Sequence, residues 1–164
     1  MVSVNQVETP KQIEATQQFM MEYRSWVFAN VPGSKDAPTF RGWEAEIASL
    51  PGIYAPPKGR LLLATSDEQP AGCVSLKHVT DKVAELKRMY VSPNFRGQKI
   101  GWHLGKTLLD EARAIGYKKI VLDSHISMTR AHAIYEELGF NRVSPPPDFP
   151  KEITPVAVFM EYEF

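Results

Sequence analysis

The chain has 164 residues, enough for one domain with a full hydrophobic core, and no linker or shift in composition marks a second; a single domain over residues 1–164 is expected. Its 19 lysines and arginines balance 19 aspartates and glutamates, which excludes a nucleic-acid binder that relies on a broad basic surface. A lone cysteine, Cys73, excludes an internal disulfide and points to a reducing compartment.

No apolar run approaches the roughly 18 residues that span a bilayer. The first residues lack a basic segment followed by an apolar one. A cytoplasmic protein without membrane contact is expected. No His, Cys or carboxylate cluster has ligand spacing, so no metal is expected.

Val2, Val4 and Val7 predict a short first strand. Thr9 then caps a helix, with Pro10 at its first position and Gln12 placed to close a capping box. Ile13, Thr16, Met20, Tyr23 and Val27 continue it at helical spacing until Pro32-Gly33. Beyond a turn-rich stretch, Trp43, Ile47 and Leu50 predict a short second helix stopped by Pro51-Gly52. A stiff loop at 54–59 leads into a buried strand over 60–65. Residues 67–70 read as a hairpin turn, 72–79 as the next strand, 80–82 as a second turn and 83–91 as a third strand. Three strands joined by short turns predict an antiparallel meander.

A glycine-bearing turn follows, and then a helix over 100–115 with Leu104, Leu108, Ala112 and Ile115 on one face and Gly116 at its end. The strand over 119–123 comes after a helix, so it is expected parallel to the strand before it; it should also splay away from it. A helix over 129–138 ends at Gly139. A strand begins at 140–143, a proline-rich loop fills 144–150, and an alternating strand occupies 156–164. The order β-α-α-β-β-β-α-β-α-β-β predicts one α/β domain, a mixed central sheet flanked by helices.

The turn carries the chemistry. Pro93-Asn94-Phe95-Arg96-Gly97-Gln98-Lys99-Ile100-Gly101 lies between a strand and a helix, where backbone N–H groups and the helix dipole converge on an anion. Arg96 adds a planar cation. A phosphate-bearing cofactor is therefore expected at Arg96, Gly97, Gln98, Lys99, Ile100 and Gly101. On the residues alone, Glu85 reads equally well as an exposed strand charge paired with Lys87 or Arg88. Tyr135 reads also as a half-buried packing residue.

Three motifs in order bring this chain close to a known family: the strand Glu85-Leu86-Lys87-Arg88-Met89-Tyr90-Val91, the turn Arg96-Gly97-Gln98-Lys99-Ile100-Gly101, and Ala131-His132-Ala133-Ile134-Tyr135-Glu136-Glu137-Leu138-Gly139-Phe140. Together they resemble the GNAT acetyltransferase superfamily. Two positions depart from its pattern. Lys99 stands where the family usually has glycine, and Met128 where it often has asparagine.

The resemblance implies an N-acetyltransferase that uses acetyl-CoA and transfers the acetyl group directly to the amine of a small molecule in a ternary complex. It implies the cofactor's pyrophosphate on residues 97–101 and its pantetheine arm along the backbone of Met89 and Val91, with the Met89 N–H facing the thioester carbonyl. It implies Tyr135 as proton donor to the leaving thiolate and Glu85 as a base for the amine. Asp123, Ser124 and His125 are candidate cleft residues. The acceptor site is expected between the first two helices, the 54–57 loop and the 144–150 segment, with Trp26, Phe28, Trp43, Tyr54 and Phe149 among its walls. Cys73 lies away from the motifs, which disfavours an acyl-cysteine route. Two other readings stay open: acetylation of a protein lysine or N-terminus, and a CoA-binding sensor or interaction module without turnover. A homodimer is compatible with either.

Overall fold

In the computed structural model, which describes Met1–Phe164, all strands join one seven-stranded sheet of order β1-β2-β3-β4-β5-β7-β6. The elements are β1 (Val2–Gln6), α1 (Pro10–Asn30), α2 (Trp43–Ala48), β2 (Arg60–Ser66), β3 (Gln69–His78), β4 (Val83–Val91), α3 (Ile100–Ile115), β5 (Lys119–His125), α4 (Thr129–Leu138), β6 (Asn141–Val143) and β7 (Ala157–Glu163). The expected order holds throughout. β4 and β5 are the parallel pair, and the other neighbours are antiparallel.

Local chemistry explains several boundaries. The Gln12 N–H donates to Thr9 Oγ1 at 3.2 Å, and the Thr9 N–H donates to Gln12 Oε1 at 3.0 Å, so the capping box at α1 is complete. The β2–β3 turn is tighter than the expected 67–70. Asp67 and Glu68 alone make it, both left-handed with φ of 48° and 69°, and β3 begins at Gln69 rather than at 72. Two left-handed residues give the twist that lets flanking strands pair up to the turn.

The sheet is covered on both faces, as the run Leu61-Leu62-Leu63-Ala64 requires. Leu62, Ala64, Val74 and Leu76 pack with Leu104 and Leu108 of α3, while Leu61, Leu63 and Cys73 pack with Phe19 and Met20 of α1. Adjacent side chains point to opposite faces, so a strand buried on both sides shows no alternation of polarity.

The feature that shapes the site is an irregularity in β4. The β3–β4 register shifts between Cys73, opposite Tyr90, and Ser75, opposite Lys87. The extra residue in β4 is accommodated with Arg88 in the left-handed region, φ 59°. A bulge of this kind bends a strand and strengthens its twist. Correspondingly, β4 pairs with β5 only from Val83–Lys119 to Glu85–Val121, whereas β5 stays paired with β7 along its whole length. Beyond Glu85 the two parallel strands splay.

Arg88 is held from several sides. Its Nε donates to Glu46 Oε2 at 2.9 Å and its Nη2 to Glu46 Oε1 at 3.0 Å. Nη1 and Nη2 also reach Thr39 Oγ1 and the Thr39 carbonyl, at 2.8 and 2.9 Å. The guanidinium lies 4.5 Å from the Trp43 ring centroid. Tyr54, expected in the acceptor wall, is instead fully buried and donates from its hydroxyl to Glu46 Oε2 at 3.0 Å. Trp43 is likewise core, 1% exposed. Burial works against the Glu46 carboxylate, and Arg88 more than offsets it, so that carboxyl sits below its ordinary range.

A buried pair that loses one partner is destabilised by about 3–5 kcal/mol, because the other charge is left uncompensated. Arg88→Leu is therefore expected to lower the unfolding free energy by that amount in urea titrations. Adding Glu46→Leu should recover a large part of it. Additive losses in the double variant would show that the pair does not act as a unit.

Candidate active site

The splay opens a cavity of about 480 Å³ that passes between β4 and β5. On the α4 side it is lined by Leu86, Met89, Leu122, Met128, Ala131 and Tyr135. On the α1 side it is lined by Tyr23, Val27 and residues 31–34 and 36–40, with Phe149, Ile153 and Val156 opposite. Of the expected acceptor wall, the 54–57 loop, Trp26 and Phe28 do not line this cavity, whereas residues from 31 to 40 do. Of the 144–150 segment only Phe149 reaches it, seated edge-on against Phe159 with ring centroids 4.5 Å apart. Trp43 and Tyr54 belong to the core beneath.

Glu85 and Tyr135 meet at this one cavity, together with Asp123, Ser124 and His125 at the end of β5. Glu85 forms no ion pair; Arg88 is committed to Glu46, and Lys87 has no partner, so the reading of Glu85 as a paired strand charge does not hold. Burial raises its pKa, an effect that Lys87 opposes and Asp123 reinforces. Tyr135 is 5% exposed and packs against Phe140. Its hydroxyl has no hydrogen bond within the chain, and burial, reinforced by Tyr23, holds the phenol well above its ordinary pKa. Burial likewise pushes the Cys73 thiol up to about 12, which leaves it protonated and unsuited to carrying an acyl group.

His132 is a residue whose place was not readable from the sequence. It is 2% exposed, and its Nε2 lies 3.0 Å from Ser124 Oγ, tying α4 to the splayed end of β5. Burial lowers its pKa, as does Arg142, which favours the neutral ring.

The turn before α3 forms the second part of the site. None of the backbone N–H groups of residues 97–102 has a partner within the chain. Gly97 has φ 85°, and a Cβ there would meet nothing within 4 Å. Lys99, at the family's glycine position, caps α3 in a left-handed conformation with φ 57°, a geometry glycine adopts without strain. The Gln98 side chain turns away and accepts from Ser66 Oγ at 2.6 Å. Gly101 also serves the packing of two helices. A Cβ there would lie 2.9 Å from Ile134 Cδ1, so this glycine admits α4 against α3. Met89 and Val91 lead from the cavity toward this turn, both partly buried against the α3-side core.

A parallel pair opened mid-sheet, with free N–H donors at the following helix, is the architecture of an acyltransferase that lays a phosphate-bearing acyl carrier along one strand. The model of the acetyltransferase (GNAT) family matches residues 18–140, and the chain belongs to that family. It is therefore an acyl-CoA-dependent acetyltransferase with acetyl-CoA as its cofactor. An uncharacterized N-acetyltransferase of Schizosaccharomyces pombe is 28% identical over 146 residues, 88% of this chain and 85% of that one. An acetyltransferase from Streptococcus agalactiae superposes with a TM-score of 0.76 at 23% identity, covering 99% of this chain and 98% of that one. The PaiA N-acetyltransferase from Thermoplasma acidophilum, solved in complex with coenzyme A, superposes with a TM-score of 0.73 at 20% identity over 100% and 99% of the two chains. The last two likenesses show the fold.

The residues present fit the cofactor. Unpartnered N–H groups at a helix start suit a pyrophosphate, and Arg96 and Lys99 are exposed beside them. Open space at Gly97 gives a test that separates charge from shape. Aspartate and asparagine both tolerate a left-handed backbone. A new carboxylate next to a phosphate costs about 1–4 kcal/mol. Gly97→Asp should weaken coenzyme A binding by about 10–100-fold in calorimetry, with Gly97→Asn within a few-fold of wild type. Equal weakening by both would place the phosphates elsewhere.

Proposed function

We propose that this chain is an N-acetyltransferase whose acceptor is a small-molecule amine, acetylated by direct transfer while both substrates are bound. The observation that carries this reading is the cavity itself. It joins Tyr135 on one side of the sheet to Glu85 and Asp123 on the other, and it is walled by residues 31–40 and by Phe149 and Ile153. A concave pocket with mostly apolar walls suits a small molecule better than a polypeptide. A single cysteine, which can form no internal disulfide, supports a reducing compartment, and the cytoplasm is the proposed location.

When bound, acetyl-CoA supplies the thioester carbonyl that the amine attacks. The chain does the rest. Donors at 97–102 anchor the phosphates, and the β4 edge beyond Glu85, freed by the splay, guides the arm into the cavity. The Met89 N–H stabilises negative charge on the acyl oxygen. Glu85, directly or through water, removes a proton from the amine, which is mostly charged at neutral pH with a pKa near ~10. Tyr135 keeps its proton across the neutral range and gives it to the leaving sulfur. Release of free thiol from acetyl-CoA, measured against a panel of small amines and of peptides, tests the reading. Turnover confined to peptides would overturn it.

Tyr135→Phe removes one hydroxyl and leaves the ring packing in place. A positioned general acid contributes ~10²–10⁴-fold. The variant should bind coenzyme A as wild type does and lose at least tens-fold in kcat, with little change in KM. A folded variant with wild-type kcat leaves Tyr135 as a packing residue.

Glu85 generates a pH prediction. Because burial raises its pKa, its basic form is lost as pH falls through a value above the ordinary carboxylate range. Wild-type kcat should therefore decline on the acid side in that region. Glu85→Gln should abolish this limb and lower kcat by about 10²-fold, with unchanged affinity for coenzyme A. A variant that keeps both the limb and the rate would assign the base elsewhere.

A further inference from the structure

Glu85 and Lys87 lie two residues apart on one strand, both half-buried and both lining the cavity. Residues so spaced share a face and stand roughly 7 Å apart along it. The other cationic groups facing the cavity are engaged. Arg88 is bonded to Glu46 and Thr39, and the His125 ring accepts from the Ser127 N–H at 3.1 Å. Lys87 makes no ion pair and no hydrogen bond, although Val27, Phe40, Phe149 and Ile153 give its surroundings an apolar character.

A half-buried ammonium without a partner is unfavourable in the free protein and finds its complement in an anion. Burial lowers the Lys87 pKa while Glu85 works against that shift, so both groups are set by the same closed space. Three carboxylates line the cavity, Asp36 at its exposed edge and Glu85 and Asp123 on the strands beside Lys87, and these suit an amine. Lys87 suits the opposite charge at a distance that one small zwitterion can bridge.

We propose that Lys87 receives a carboxylate of the acceptor, so that the amines taken by this site are amino acids with an apolar side chain. The amine lies toward Glu85 and Asp123, the carboxylate at Lys87, and the side chain against Phe40 and Phe149. This inference rests on the reading of the cavity as the acceptor site of a small-molecule acetyltransferase.

The test compares amines that differ only in the carboxylate: phenylalanine with phenethylamine, leucine with isoamylamine, and tryptophan with tryptamine. For each pair, kcat/KM is measured by thiol release from acetyl-CoA with wild type, Lys87→Met and Lys87→Arg. The ratio within a pair, compared between enzymes, cancels the different basicities of the two amines. A hydrogen-bonded charge pair predicts that Lys87→Met lowers the preference for the carboxylated member by about 10–100-fold. Lys87→Arg should keep most of the preference, and all three proteins should bind coenzyme A alike. Turnover of the pairs with a preference that Lys87→Met does not change would overturn the inference and leave the small-molecule reading standing. No turnover of any of these amines would overturn both.

Discussion

The left-handed bulge at Arg88 is the constraint on which the site depends. A non-glycine residue in that conformation costs about 1–3 kcal/mol and persists only where its surroundings over-determine it. Here the surroundings are a bidentate ion pair with Glu46, two hydrogen bonds to Thr39 and a ring face of Trp43. A cation over tryptophan adds about 0.5–2 kcal/mol to the pair. The bulge bends β4 away from β5 just past Glu85, which opens the slit. The same guanidinium fastens the segment around Thr39 and α2 over one mouth of that slit. One side chain thus bends β4 and anchors a wall of the cavity.

The electrostatics follow from the closure. Groups that would behave alike in water diverge once each has its own burial. Tyr135 is held protonated, Glu85 is raised toward neutrality, and Lys87 is lowered. Glu46, equally acidic in a peptide, is held ionised by Arg88. Cys73, in the next strand, is kept inert by complete burial. Titratable groups shifted together in one cleft mark it as a candidate site for proton-transfer chemistry.

The sequence was most legible where the determinants are local. The capping box at Thr9–Gln12, the meander from β2 to β4, the parallel crossover into β5 and the helix over 129–138 all rest on short spacings, and all are present. The splay of β5 follows from no local rule, because a crossover fixes a strand's direction and not how far it pairs. What stayed hidden depends on distant partners. Arg88 meets Glu46 and Thr39 from 42 and 49 residues away, and nothing in Leu86-Lys87-Arg88-Met89 marks a bulge. The cavity's lining is likewise set at a distance from its own sequence. Tyr54 turns inward to Glu46, and the 31–40 segment, carried by the end of α1, covers the mouth. Gly101 also meets Ile134, a contact between helices 33 residues apart that no local pattern encodes.

The most direct measurement is a crystal structure with acetyl-CoA bound. The splayed sheet predicts the phosphates on the N–H groups of residues 97–102, the arm along β4, and the thioester between Met89 and Leu122 with Tyr135 near its sulfur. Strands β4 and β5 paired beyond Glu85 and Val121, or an acetyl group bound outside the slit, would contradict it.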